Sequence, residues 1–170
     1  CAHEMKPLVA AAYAAVYEEG ARDCVRRLKY DGNRSLARPM AEAMAFHLRT
    51  RNAMQGCDVI VPVALHPQRL RRRGYNQSEW LANELSALCG LPVVTALERV
   101  RDTHSQVGLN AGERAKNMLG AFSANRAVEG LHVLLLDDVT TTGATARDAA
   151  RAILSAGALS VRLLTFARDL

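Results

Sequence analysis

The stretch "VLLLDDVTTTGAT", residues 133–145, joins an apolar run to two adjacent acids and a threonine-rich turn. The apolar run predicts a buried strand over residues 132–136. Residues 145–156 carry apolar side chains at helical spacing and are followed by Gly157, which is placed to end a helix. A second apolar run, residues 161–166, predicts another strand. Residues 131–166 therefore predict a βαβ unit whose two strands are parallel.

The bend expected after Leu136 carries two kinds of polar group that need different partners. Ligands bind beyond the carboxyl ends of strands in a parallel α/β sheet, where the next helix points its N-terminus. Free N–H groups, threonine hydroxyls and the close backbone approach allowed by Gly143 favour a phosphate there. Asp137 and Asp138 repel a phosphate and instead need hydroxyls or a cation. A sugar phosphate supplies both, with its phosphate in the threonine turn and its vicinal hydroxyls on the acid pair.

The rest of the chain predicts further helices and one more strand. Apolar side chains from Ala21 to Leu28 recur at helical spacing, with Lys29 at the helix end. Residues 59–63 have the length of a buried strand, a loop crowded with arginines follows, and residues 76–89 predict another helix. This order predicts an α/β protein with a central, mostly parallel sheet flanked by helices. We expect a single domain over residues 1–170, since 49% hydrophobic residues suffice for one core.

Charge and composition narrow the classes of partner. The net charge of +5 leaves three readings open: nucleic acid, a phosphorylated small molecule, or no specific ligand. Aromatic residues make up 5% of the chain and form no visible stacking platform, which argues against intrinsic binding of single-stranded DNA. No stretch approaches the ~20 apolar residues of a membrane span, and the N-terminus lacks the order of a signal peptide. We therefore expect a cytoplasmic protein.

The 133–145 stretch resembles the phosphoribosyl pyrophosphate (PRPP) motif of the type I phosphoribosyltransferases. The resemblance implies that Asp137 and Asp138 hold the ribose hydroxyls, as substrate-binding and catalytic residues. It assigns the 5-phosphate to the following loop, which comprises Thr140, Thr141, Thr142, Gly143, Ala144 and Thr145. It also implies the type I phosphoribosyltransferase fold with a mobile hood, and transfer of phosphoribose from PRPP to an acceptor with Mg²⁺ as cofactor.

Three further stretches are similar to the ComF family of competence-related proteins: "RRLKYDGNRSLA", "VIVPVALHPQRLRRRGYNQSEWLA" and "RDTHSQVGLNAGERAKNMLGAF". The resemblance implies a pyrophosphate site made of Lys29, His66, Arg69, Arg73 and Gly74. It identifies residues 101–120 as the hood, in which Arg114 or Lys116 neutralises charge on the departing pyrophosphate, and both are candidate catalytic residues. It assigns no metal ligand in the protein and no acceptor pocket.

The ComF resemblance leaves three functions open. The first is a phosphoribosyltransferase with an unknown acceptor. The second is a PRPP sensor without catalysis. The third is a competence factor in natural transformation, which contacts a helicase, other DNA-uptake proteins or single-stranded DNA.

The N-terminal segment raises two expectations. ComF proteins usually carry an N-terminal zinc ribbon, of which at most Cys1 and His3 are present, so we expect that module to be absent or truncated. Dimers are common in the resembling fold, and we expect the segment with Tyr13 and Tyr17 to form the contact surface of a homodimer.

Overall fold

The main sheet has four parallel strands. The computed structural model describes residues 6–51, 55–101 and 119–169. Within them, β1 (Ala10–Val16), β2 (Val59–Pro62), β5 (His132–Thr140) and β6 (Ser160–Arg168) form a sheet in the order β1–β6–β5–β2. Every pairing in this sheet is parallel. The short strands β3 (Leu97–Arg99) and β4 (Phe122–Ala124) form a separate antiparallel pair.

Helices cover both faces of the main sheet. They are α1 (Glu19–Tyr30), α2 (Ala37–Thr50), α3 (Pro67–Arg73), α4 (Gln77–Cys89) and α5 (Ala144–Ser155). The buried side chains of α1, α2 and α4 pack on one face of the sheet. Helix α5 packs on the other face, together with the β3–β4 pair. The expected α/β class with a parallel sheet flanked by helices is therefore confirmed.

Strand β5 divides the core between these two faces. Leu134 and Leu136 lie in the cluster with α1, α2 and α4, whereas Val133 and Leu135 lie in the cluster with α5. All four side chains are fully buried. Burial on both faces is what makes the run continuously apolar, and each such side chain contributes roughly 1.5–3 kcal/mol of transfer free energy.

The predicted βαβ unit is present, with one correction at the end of its first strand. Strand β5 continues to Thr140, four residues beyond Leu136, because β6 pairs with it over the whole length from His132 to Thr140. The prediction of a bend directly after Leu136 is therefore wrong. The acid pair lies within the strand, and the turn begins only at residue 141.

The predicted arginine loop is a helix, which is the second correction. Helix α3 begins with Pro67, whose fixed φ suits a first helical position, and the side chain of His66 accepts a hydrogen bond from Gln68 N at 3.4 Å. Gly74 ends the helix with φ of 81°, in the left-handed region that favours glycine. A helix holds the arginines in fixed directions, whereas a loop would leave them free to move.

The helix predicted at residues 76–89 is confirmed as α4. Asn76 caps it by accepting a hydrogen bond from Ser78 N at 3.1 Å, and Gly90 ends it with φ of 77°.

Strand β1 is an element that the sequence pattern did not predict. Five of its seven residues are alanine, which has little preference for strands, and its only pairing in the described residues is with β6. Tyr13 lies in this strand with the Arg168 guanidinium carbon 5.7 Å from its ring centroid. The expected dimer contact through Tyr13 and Tyr17 stays a prediction.

None of the helices in the described ranges combines the length and the apolar composition that a membrane span requires.

Asp148 of α5 fixes the start of β4. The side chain is 4% exposed and accepts hydrogen bonds from the backbone N–H groups of Gly120, Ala121 and Phe122 at 2.9, 2.8 and 3.2 Å. This single carboxylate therefore ties the β3–β4 pair to the helix that follows the threonine turn.

Replacing Asp148 with alanine is expected to lower the free energy of unfolding by about 3 kcal/mol, because three N–H groups lose their acceptor. Asp23→Ala is the matched control, since Asp23 is half exposed with only 3.6 Å ion pairs to Arg26 and Arg27, and its loss is expected to be ~0.5 kcal/mol or less. Urea unfolding measures both values. Equal losses for the two variants would contradict this role of Asp148.

Candidate functional site

The carboxyl ends of β2, β5 and β6 lie side by side at one edge of the sheet. Leu136 is opposite Pro62 of β2, and its carbonyl accepts a hydrogen bond from Val63 N at 2.9 Å. On the other side, Asp137 is opposite Thr165 of β6. The acid pair of β5 and Thr165 of β6 therefore lie beside the end of β2, at the position where parallel α/β sheets bind ligands.

Residues 140–145, here called the threonine loop, connect β5 to the N-terminus of α5. Gly143 is the residue before the helix and has φ of 72°, a conformation that a side chain would strain. Two hydrogen bonds hold the loop, from Ala144 N to Thr142 Oγ1 at 3.4 Å and from the Arg147 side chain to the Thr142 carbonyl at 2.9 Å. The first-turn N–H groups of α5 point toward this loop and favour an anion.

A small cavity of about 60 Å³ lies against the threonine loop. It is lined by the loop itself, by residues of β5 and β6, and by the first turn of α5. These residues are Asp137, Val139, residues 140–146, Leu163 and Thr165.

Each acid of the pair has a different partner. Asp138 is 1% exposed, its Oδ2 lies 2.9 Å from Lys29 Nζ, and its Oδ1 accepts a hydrogen bond from Val139 N. Asp137 Oδ1 accepts hydrogen bonds from Ser78 Oγ and from Asp138 N, both at 2.9 Å. Because successive side chains of β5 point to opposite faces of the sheet, Asp138 reaches α1 while Asp137 borders the threonine loop.

The acid pair and Lys29 influence one another electrostatically. Burial and, after it, the nearby Asp138 carboxylate raise the pKa of Asp137 to about 7, although Lys29 opposes the rise. Burial opposes the charge of Lys29, but the attraction of Asp138 and Asp137 outweighs it, so the pKa of Lys29 lies above its usual value. Without a ligand, the folded chain therefore destabilises the ionised form of Asp137.

A second cavity, of about 350 Å³, opens between the end of α1 and helix α3 and is here called the cationic cavity. Four of its lining side chains are basic and one is acidic. The lining residues are Lys29, Tyr30, Asp31, Gly32, Arg69, Arg72, Arg73 and Tyr75. This excess of positive charge makes the cavity suited to an anion.

Contacts with aromatic side chains position the residues that line the cationic cavity. The Tyr75 hydroxyl donates to the Lys29 carbonyl at 2.9 Å, and its ring stacks on Trp80 with 4.0 Å between centroids. The guanidinium carbon of Arg73 lies 5.5 Å from the centroid of Tyr30, while the Arg73 side chain also donates to Gln77. These contacts hold Tyr75 against the Lys29 backbone and Arg73 beside Tyr30, within the lining of one cavity.

The five residues expected to hold pyrophosphate are brought together only in part. Lys29, Arg69 and Arg73 line the cationic cavity. His66 and Gly74, the residues directly before and after α3, do not line it. Arg114 and Lys116, with the rest of the expected hood from residue 102 to 118, lie outside the described residues, as do Cys1 and His3.

The sequence reasoning did not assign a role in this site to Tyr30, Arg72, Ser78 and Thr165, and it noted Tyr75 only as the neighbour of Arg73 and Gly74. Tyr30 directly follows Lys29, and Arg72, Tyr75 and Ser78 lie within the stretch "RRRGYNQS". Thr165 carried no such signal, since it interrupts an apolar strand and reaches the site through the pairing of β6 with β5.

A further cavity, of about 510 Å³, lies elsewhere. It is formed between β4 and α5 and includes neither the acid pair nor the threonine loop. Its most buried polar group, the Asp148 carboxylate, is already engaged by three backbone N–H groups. The two smaller cavities at the sheet edge are therefore the better candidates for chemistry.

The fold and the site define a phosphoribosyl transferase domain. Residues 30–170 match the family described as "Phosphoribosyl transferase domain", and the chain belongs to that family. The chain is also similar to glutamine phosphoribosylpyrophosphate (PRPP) amidotransferase from B. subtilis, with a TM-score of 0.52 and 20% identity over 76% of this chain and 26% of that chain. That likeness concerns the fold.

Relatives of known name confirm the expected ComF resemblance. The DNA utilization protein YhgH of Salmonella typhimurium is 34% identical over 150 residues, 86% of this chain. Competence protein F of Haemophilus influenzae is 32% identical over 152 residues, 85% of this chain. The chain spans 66% of the length of each of these two relatives.

Replacing Asp137 with asparagine is expected to stabilise the ligand-free protein at pH 8. A carboxyl whose folded pKa is raised contributes stability that is present below its unfolded pKa of 3.8 and is lost as the pH rises through about 7. Asparagine does not titrate, so the variant does not lose this stability as the pH rises. At about 1.36 kcal/mol per pKa unit, the gain at pH 8 is at most ~4 kcal/mol, and it should vanish near pH 4.

Urea unfolding of both proteins at several pH values between 4 and 8 measures this difference, with Asp23→Asn as the exposed control. A difference that does not grow with pH would show that Asp137 ionises without penalty in the folded chain.

Proposed function

We propose that this chain binds PRPP with Mg²⁺ and transfers its phosphoribosyl group to an acceptor. One observation carries the proposal: the two cavities are joined by the acid pair. Asp137 borders the threonine loop, Asp138 is its neighbour, and Lys29 both contacts Asp138 and lines the cationic cavity. PRPP has the same order of groups, with the 5-phosphate, the ribose hydroxyls and the pyrophosphate in sequence.

The 5-phosphate is assigned to the threonine loop. The N-terminus of α5 offers N–H groups and the positive end of its dipole, and the residue before it, Gly143, has no side chain that would block the approach. Hydroxyls of Thr140, Thr141, Thr142 and Thr145 add donors around the same cavity.

The ribose hydroxyls are assigned to the acid pair. Carboxylates accept hydrogen bonds from hydroxyls, and two such bonds orient the sugar ring. Asp137 is the better placed of the two, because it borders the cavity while Asp138 is held by Lys29. Hydroxyl donors also favour the ionised form of Asp137, so binding reverses the penalty that burial imposes on it.

The pyrophosphate is assigned to the cationic cavity. Breaking the bond between ribose C1 and the pyrophosphate oxygen leaves the electron pair on pyrophosphate, whose negative charge then rises. Lys29, Arg69 and Arg73 would stabilise that charge as it develops. The acceptor's nucleophilic atom forms the new bond to C1 and loses its proton to solvent, and catalysis consists mainly of positioning and electrostatics.

The described residues fit an Mg²⁺ ion that is bound mostly by the substrate. They contain no group of three or more His, Cys, Asp or Glu side chains placed to hold a metal. Mg²⁺ keeps several waters and is often bound through substrate phosphates with few protein ligands. When bound, the ion would neutralise negative charge on the pyrophosphate.

PRPP binding should be lost in the double variant Asp137→Asn, Asp138→Asn, because both hydroxyl acceptors of the ribose are removed. Titration calorimetry with PRPP and Mg²⁺ measures the affinity, and Asp23→Asn is the control for a surface carboxylate. Circular dichroism checks that the double variant is folded. Unchanged affinity in a folded double variant would reject the acid pair as the ribose site.

Release of pyrophosphate separates an enzyme from a sensor of PRPP. An enzyme releases pyrophosphate from PRPP when the right acceptor is present, whereas a sensor binds PRPP and releases none with any acceptor. A coupled pyrophosphate assay over nucleobases, amines and nucleotides makes the distinction once binding is established.

The names of the relatives favour a second candidate function, the handling of DNA in competence. The cationic cavity supports it, because Tyr30 is 72% exposed beside three arginines and offers a ring on which a base can stack. Proteins that take up DNA or unwind it are the partners that such a function implies.

Single-stranded DNA binding through this cavity should weaken steeply as salt rises from about 50 to 200 mM. Arg72→Gln should weaken it several-fold, whereas Arg71→Gln, an exposed neighbour outside the cavity, should change it little. Fluorescence anisotropy with a labelled oligonucleotide measures both. If both variants weaken binding equally, the DNA is held by non-specific electrostatic attraction and not by the cationic cavity.

A further inference from the structure

Thr165 has a buried hydroxyl that lacks a partner. Its side chain is 1% exposed, and Oγ1 has no hydrogen-bond partner within the described parts of the chain. Thr165 lies on β6 directly opposite Asp137 of β5.

The surroundings of Thr165 give no structural reason for a hydroxyl. Val161 and Leu163 precede it on the same side of β6 and lie in the apolar cluster under α5. Burying a hydroxyl without a hydrogen bond is unfavourable, and valine has nearly the same shape without that cost. A polar atom at this position is therefore better explained by a ligand than by packing.

Thr165 borders a cavity. It lines the cavity of about 60 Å³ against the threonine loop, which shares no lining residue with the cationic cavity. A cavity of that size exceeds the ~15 Å³ that one water molecule needs, so it has room for a small polar group. A phosphate oxygen held in the loop would lie beside Thr165.

We propose that Thr165 binds the phosphate end of the sugar phosphate, by donating its hydroxyl to a phosphate oxygen held in the threonine loop. This assignment rests on the proposed function and adds to it a residue from a second strand. The phosphate would then be held from two directions, by the N-terminus of α5 and by β6. Phosphate oxygens accept hydrogen bonds only, so the hydroxyl is a suitable partner, whereas the neighbouring carboxylate is not.

The two ends of PRPP can be tested separately with ribose 5-phosphate and inorganic pyrophosphate as probes. Thr165→Val should weaken the binding of ribose 5-phosphate and of PRPP by about tenfold, as expected for loss of a hydrogen bond to a charged group. Pyrophosphate binding should stay at the wild-type value, and Thr165→Ser should restore most of the affinity for ribose 5-phosphate. Arg73→Gln should show the reverse pattern, with weaker binding of pyrophosphate and unchanged binding of ribose 5-phosphate.

Thermal unfolding of the ligand-free proteins separates binding from packing. Thr165→Val removes an unpartnered buried hydroxyl, so its Tm should equal or exceed that of the wild type. Thr50→Val, where the hydroxyl donates to the Phe46 carbonyl far from the site, is the control for the same change of side chain and should leave all three affinities unchanged.

The outcomes distinguish this inference from the function on which it rests. If the wild type binds PRPP and Thr165→Val binds ribose 5-phosphate equally well, the role of Thr165 is overturned while the proposed function stands. A folded wild type that binds neither PRPP nor ribose 5-phosphate overturns both. Weaker ribose 5-phosphate binding together with a lowered Tm and weaker pyrophosphate binding would also overturn the inference, because a general loss of structure would explain it.

Discussion

The parallel pairing of β5 with a neighbour on each side determines where every functional group of this chain lies. Because β2 and β6 run in the same direction as β5, their carboxyl ends meet at one edge of the sheet. The acid pair then lies between helix α1, which supplies Lys29, and helix α5, which begins after the threonine loop. A shift of one residue in the register of β6 would turn Thr165 away from the loop and bring a core side chain into its place.

The ion pair between Lys29 and Asp138 connects the two halves of the proposed site. A buried ion pair adds little net stability, because removing both charges from water offsets their attraction. The ion pair instead positions two elements, because it holds the end of α1 against the end of β5. The cationic cavity therefore lies next to the acids. The raised pKa of Asp137 also favours ligand binding. Burial destabilises the ionised carboxylate, and hydrogen bonds from a ligand's hydroxyl groups would stabilise it.

Much of this arrangement could be predicted from the sequence, and the exceptions have physical causes. The unit of β5, α5 and β6, and helices α1 and α4, were predicted because apolar spacing and turn residues agree there. Helix α3 was mistaken for a loop because a run of arginines has no apolar period, and its ends depend on Pro67 and Gly74. Strand β1 was missed because alanines carry no strand signal, and β3 and β4 because three residues show no alternation.

The site was predictable where it is local in sequence and not where it depends on pairing. The acids and the threonine loop form one continuous motif, whereas Ser78 and Thr165 join it from α4 and β6. A crystal structure with PRPP and Mg²⁺ tests the central claim most directly. The account predicts the 5-phosphate against Gly143 and Thr165, the ribose hydroxyls at Asp137, and the pyrophosphate at Lys29 and Arg73. Pyrophosphate in the threonine loop, or PRPP bound away from the acid pair, would contradict it.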